Sequence, residues 1–241
     1  MVATIHKEAD TIADRRSDQR MSKLLFILNF HGLGRPSRDV VAGEQPFWID
    51  VAFFEAVLDL IQSRKDVQVT FDDSNESDFE IALPALVSKR MTAKFFVLAQ
   101  QTGRKGYLST SCLRSIASAG MTIGNHGIRH CPWTGLNEHD LHEELVEARD
   151  QIEQVIGVPV REAACPFGSY NRRVLRALRN SGYGTIYTSD ECPATAGSSI
   201  QSRYSVLQTH DLLQIEKIIN PAPWRLDRTW GRIKMKLRQL G

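Results

Sequence analysis

Several absences narrow the reading of this chain before anything present does. Its four cysteines, Cys112, Cys131, Cys165 and Cys192, form no C-x-x-C pair, which removes thiolate zinc ribbons and dithiol redox centres from the list. The apolar run Leu24 to Phe30 is broken by Asn29 and stops at His31. That is too short for a membrane span, and no small-residue cleavage pattern follows it. The expectation is a chain that is not exported, located in the cytoplasm, with free thiols rather than disulfides. A charge bias is missing too: 30 Lys and Arg face 28 Asp and Glu, leaving +2. That balance gives no reason to assign a nucleic-acid partner. No internal repeat or low-complexity linker interrupts the chain.

What is present is ordinary for a folded α/β protein. Across 241 residues, 42% are apolar and 24% charged, enough for one sizeable core. Residues 1–23 are polar and mixed in charge and read as a disordered or weakly ordered arm. Apolar runs predict strands at 24–30, 67–71, 94–98, 121–124, 162–165 and 184–188. Helical spacing predicts helices at 47–63, 77–89, 109–119, 137–156 and 171–181. Strand and helix alternate, which implies βα units around a parallel sheet or barrel over residues 24–207. Residues 208–241 read as a C-terminal extension. Within it, 224–241 carries Arg225, Arg228, Arg232, Lys234, Lys236 and Arg238 against the single acid Asp227, with Trp230, Ile233, Leu237 and Leu240 on one helical face. Such a basic amphipathic helix either packs on the domain with a solvated basic face or makes contact with an anionic membrane surface.

The chemistry gathers at strand ends. Immediately after predicted strands stand His31, then Asp72 and Asp73, then His126 with His130, then Pro166 and Phe167, then Asp190. Loops at the carboxyl ends of parallel strands build active sites, so residues scattered in sequence are expected to converge. On a helical turn, four-residue spacing puts His126 and His130 on one side; Gly124 and Gly127 allow a loop instead. Two histidines and a carboxylate make a three-ligand site with an open position, which suits zinc. Alone, H-x-x-x-H is also a common surface pair, and adjacent aspartates often cap a helix or fill a turn. Together they permit a division of labour: one carboxylate ligates a metal, the other takes a proton from water. His139 and His142 read as surface residues, and Asp190 as a helper or a turn residue.

These residues resemble a known family. Thr70-Phe71-Asp72-Asp73-Ser74 is similar to the T-F-D-D-G motif of the polysaccharide deacetylases, the NodB-homology family. Asn125-His126-Gly127-Ile128-Arg129-His130 resembles its S-H-x-x-x-H motif, and Pro166-Phe167-Gly168 resembles part of R-P-P-Y-G. The resemblance runs from about residue 24 to 207. It implies a distorted (β/α) barrel and a metal-dependent hydrolase that releases acetate from N-acetylated amino sugars of an oligo- or polysaccharide. It further implies Asp73, His126 and His130 as ligands of a divalent metal, zinc foremost, and Asp72 as general base. Phe167 then contributes its backbone N–H to an oxyanion site, and Trp133 either walls the acetyl pocket or packs in the core. The general acid falls to His31, in Asn29-Phe30-His31-Gly32, as in a circularly permuted branch of the family, or to His210, in Leu207-Gln208-Thr209-His210; His31 is preferred because it follows a strand. Two departures stand out. Ser74 replaces the motif glycine, and Ala164 stands where the third motif has an arginine that orients the base, a gap that Arg203 or Arg161 would have to fill. Alternatives are hydrolysis of a cyclic amide or ureide, and a glycan-binding member without turnover.

Overall fold

A computed structural model describes residues 24–222 together with Met235 and Arg238. The predicted arm at 1–23 lies outside the described residues, as does all of the basic helix at 224–241 except those two positions. In chain order the strands are β1 (Leu24–Phe30), β2 (Gly32–Leu33), β3 (Trp48–Ile49), β4 (Val67–Phe71), β5 (Lys94–Val97), β6 (Thr122–Asn125), β7 (Glu162–Ala164), β8 (Thr185–Thr188), β9 (Ala194–Thr195), β10 (Ile200–Ser202) and β11 (Tyr204–Ser205). The helices are α1 (Val51–Ile61), α2 (Leu83–Ser88), α3 (Thr110–Ser118), α4 (Glu138–His142), α5 (Ala148–Ile156), α6 (Arg172–Asn180) and α7 (Leu212–Ile219). A π turn at Glu143–Glu147 joins α4 to α5.

The main sheet runs β10-β8-β7-β6-β5-β4-β1-β11, with every neighbouring pair parallel, and β9 pairs antiparallel with β1. Its two edge strands, β10 and β11, are consecutive in sequence with only Arg203 between them. One short segment thus bridges both edges and nearly closes the sheet into the expected barrel. Arg203 sits at the seam.

Strand periodicity decides which side chains reach the site. Phe30, Phe71 and Phe95 are in register on β1, β4 and β5. Their rings stack in a row, 5.6 Å between Phe30 and Phe71 and 4.7 Å between Phe71 and Phe95. Phe54 of α1 meets this row edge-on, 5.2 Å from Phe30. Residues alternate faces along a strand, so Asn29, Thr70 and Asp72, flanking those phenylalanines, face the barrel interior. Phe54 is completely buried, and Phe54→Ala is expected to lower unfolding free energy by about 3–5 kcal/mol, read as a shift of the denaturant midpoint.

Helix α1 starts later than the spacing predicted. Gln45–Phe47 forms a 3-10 turn and Trp48–Ile49 pairs with Gly32–Leu33. The helix begins only after Asp50, whose carboxylate accepts from Ala52 N at 2.8 Å as an N-cap. Past residue 207 the same core continues, with Ile215 and Ile219 of α7 buried in it. No helix among the described residues is long and apolar enough to cross a membrane. All four cysteines are free.

Candidate active site

The carboxyl ends of β1, β4, β6 and β7 bring the expected residues together. Because Phe30 is in register with Phe71, and Asp72 N donates to Phe30 O at 3.0 Å, His31 and Asp72 lie side by side at the barrel mouth. His126 N donates to Val97 O at 2.8 Å, continuing the β5–β6 ladder. Of the two arrangements that the spacing allowed between the histidines, a helical turn and a loop, the structure has the loop. Gly127 (φ 94°) and His130 (φ 53°) are both left-handed, and this reversal turns His130 back towards His126.

Asp73, itself at φ 74°, places Oδ1 3.4 Å from His126 Nε2 and 3.3 Å from His130 Nε2. That oxygen is buried without a hydrogen-bond partner. The donor atoms of Asp73, His126 and His130 lie within 4.8 Å of one another. His126 Nδ1 lies 2.9 Å from Ala164 O. A carbonyl only accepts, so Nδ1 carries the proton and Nε2 is the ring nitrogen free to ligate. An orphaned carboxylate oxygen beside two imidazole nitrogens fits a divalent cation. The charges point the same way. Burial alone would push the His126 pKa down, but Asp72 and Asp73 raise it overall. Burial would likewise raise Asp73, yet His126, His31 and His130 together hold its carboxyl below the usual range. Cys165, close by in sequence to the third motif, offers no competing thiolate, since burial pushes its thiol up to about 12.

Asp72 is bound quite differently. Arg203 grips it with two bonds, Nη1 to Oδ1 at 2.7 Å and Nη2 to Oδ2 at 2.9 Å, and Asn29 Nδ2 donates to Oδ2 at 3.0 Å. Asn29 in turn accepts from Arg203 at 3.0 Å and from Thr70 at 2.6 Å. Burial favours the neutral acid, but Arg203, then His126, reverse this and keep the carboxyl below its ordinary range. The guanidinium is completely buried, 5.2 Å over Phe96 and 5.9 Å over Tyr187. Ala164 shares that interior cluster with both rings. A cation thus reaches Asp72 from the barrel seam rather than from the third-motif position. Arg161, the other residue considered, lies at the opposite ends of the strands, its carbonyl accepting from Gly184 N.

The remaining expected residues divide. Phe167 (φ 57°) is 64% exposed and stacks on His130 at 4.4 Å. Trp133 is completely buried in the core, under the histidine loop. His31 leans on Phe47 at 4.6 Å, and its Nδ1 is buried without a partner. Burial lowers its pKa, against the pull of Asp73 and Asp72. His210 is not part of this cluster: it lines a separate groove with Asp50, Phe53 and Leu212. Asp190 works behind the Phe167 turn. It accepts from Tyr170 at 2.7 Å and Thr188 at 2.8 Å, while Arg238 bridges its Oδ1 (3.0 Å) and Gly168 O (2.9 Å). Asn29 was not among the expected site residues, although a lone amide inside an otherwise apolar strand was its visible signal.

Comparison with known proteins adds an independent line. The sequence model of the polysaccharide deacetylase family matches residues 60–186. YxkH of Bacillus subtilis strain 168, provisionally named a polysaccharide deacetylase, is 26% identical over 156 residues. That match takes in 63% of this chain and 56% of YxkH, so the chain spans little more than half of that relative. The Streptococcus pyogenes deacetylase PplD, solved with acetate, superposes with a TM-score of 0.72 at 19% identity, covering 82% of this chain and 99% of PplD. BC0361, a polysaccharide deacetylase from Bacillus cereus, gives 0.72 at 18% identity over 82% of this chain and 69% of its own. At these identities the two structures establish a shared fold.

Proposed function

The chain belongs to the polysaccharide deacetylase family, and we propose that it is a metal-dependent hydrolase that removes N-acetyl groups from amino sugars of an oligo- or polysaccharide. The observation that carries this reading is the pairing of two differently held carboxylates. Asp72 is kept ionised by Arg203, and Asp73 is turned towards two histidines.

Asp73, His126 and His130 would hold the metal, with zinc the best match to the donor set. A divalent cation held there would supply Lewis acidity, making water more acidic and the acetyl carbonyl more electrophilic. Asp72 takes the proton from the attacking water, and Asn29 with Arg203 fixes the direction of its lone pairs. The Phe167 N–H would stabilise the negative charge that develops on the acetyl oxygen. His31 would give a proton to the departing amine. The C–N bond breaks, leaving acetate and a free amino sugar. The glycan-binding alternative drew its support from the alanine at position 164, and the Arg203–Asp72 pair removes that support.

Acetate release from N-acetylglucosamine oligomers and acetylated polysaccharides tests the reading. Release is expected to fall to background on chelation and to return with zinc. No release from any of them, by protein shown to contain metal, would move the assignment to a non-carbohydrate amide.

A further inference from the structure

Beneath the histidine loop lies an acid that the reaction does not use. Glu144 is completely buried, on the π turn between α4 and α5. It falls on the apolar stripe that Leu141, Leu145 and Ala148 define, where a carboxylate has no place unless donors meet it. The donors come from the loop between the two histidines. Ile128 N donates to Oε2 at 2.7 Å, Arg129 N reaches Oε1 at 3.3 Å, and Arg129 Nε lies 2.9 Å from Oε1. The backbone of the same turn is tied as well, since Asn125 Nδ2 donates to Glu144 O at 2.9 Å and Gly127 N donates to Asn125 Oδ1 at 2.7 Å. The carboxylate comes so close that a Cβ on Gly127 would stand 2.3 Å from Oε2.

The geometry points to Glu144 as a positioning residue for the metal site: its carboxylate folds the 127–130 loop so that His130 faces His126 and Asp73. The inference rests on the proposed reading of those three residues as ligands. Its physical basis is the left-handed backbone at Gly127 and His130. For a histidine this conformation is unfavourable, and it persists only where surrounding bonds enforce it. A negative charge cradled by two successive backbone N–H groups and a guanidinium supplies that enforcement. Glu144 is not part of the donor cluster of Asp73, His126 and His130, so it would orient the ligands rather than hold the metal.

Glu144→Gln keeps the shape but places an NH2 group against N–H donors. Its effect should appear in two measurements that do not depend on turnover. In the metal-free protein, hydrogen exchange at the Ile128 and Arg129 amides should speed up at least tenfold, with the amides of β4 and β6 unchanged. The zinc dissociation constant, from chelator competition, should weaken by about 10–100-fold. Glu144→Asp retains the charge and should recover part of both, and it decides the matter if the glutamine variant does not fold. Gly127→Ala should reproduce the zinc loss by pushing the carboxylate aside. Wild-type zinc affinity in folded Glu144 variants would overturn the inference, and so would exchange that rises evenly across the domain. Absence of zinc binding by the wild-type chain would instead remove the ligand assignment beneath it.

Discussion

Asp73→Ala is expected to abolish metal binding and activity together, whereas Asp72→Asn is expected to keep the metal and lose activity by roughly 10²–10⁴-fold. The two aspartates are adjacent, yet they face different partners. Asp73 offers an oxygen with no hydrogen-bond partner to the space between His126 and His130. Asp72 spends both oxygens on Arg203 and Asn29, and its nearest approach to a histidine nitrogen is 3.8 Å. Removing the first takes away a ligand and leaves two imidazoles, too few for tight binding. Amidation of the second leaves the ligands in place but gives a group that takes up no proton. Metal content by mass spectrometry under native conditions, with acetate release on the same samples, separates the roles. Equal loss of metal in both variants would overturn the assignment.

Arg203→Met should cost stability as well as turnover. It leaves Asp72 ionisable, completely enclosed and without its cation, a situation that costs about 3–5 kcal/mol in buried pairs broken from one side. Methionine packs against Phe96 and Tyr187 much as the arginine stem does, so the loss reports the charge rather than a hole. Arg203→Lys should be milder for stability but still impaired, because an ammonium does not reproduce the two parallel bonds. Chemical denaturation of the metal-free variants gives the first quantity. A double variant with Asp72→Asn should lose less than the sum of the single losses; strict additivity would show that the pair does not act as a unit.

How much of this was legible in the sequence depends on how far each signal reaches. Short stretches rich in β-formers that end in ionisable groups, such as the alternating Val67 to Phe71 before Asp72, marked strands and candidate site face together. The histidine spacing marked a candidate ligand pair on either a helical turn or a loop, and left-handed loop residues bring the rings together. Arg203 could only be named as one of two arginines. Its flanking strands are three and two residues long and carry polar side chains, so no periodicity announces them. Its pairing with Asp72 is a matter of barrel closure, which no local window contains. Helical spacing put a helix start at residue 47, but Gln45–Phe47 is a 3-10 turn, and Asp50 is the cap. Glu144 was visible only as an acid on an apolar stripe.

The Arg203–Asp72 pair also sets an order of events while the chain is being made. The two residues are 131 positions apart, which at 5–20 residues per second corresponds to about 7–26 seconds of synthesis. For that interval the nascent chain carries an acid destined for the interior without its arginine partner, and β1 has one hydrogen-bonding edge still open. The barrel cannot be completed strand by strand as it leaves the ribosome. Its closing segment brings both the missing strand edge and the missing charge.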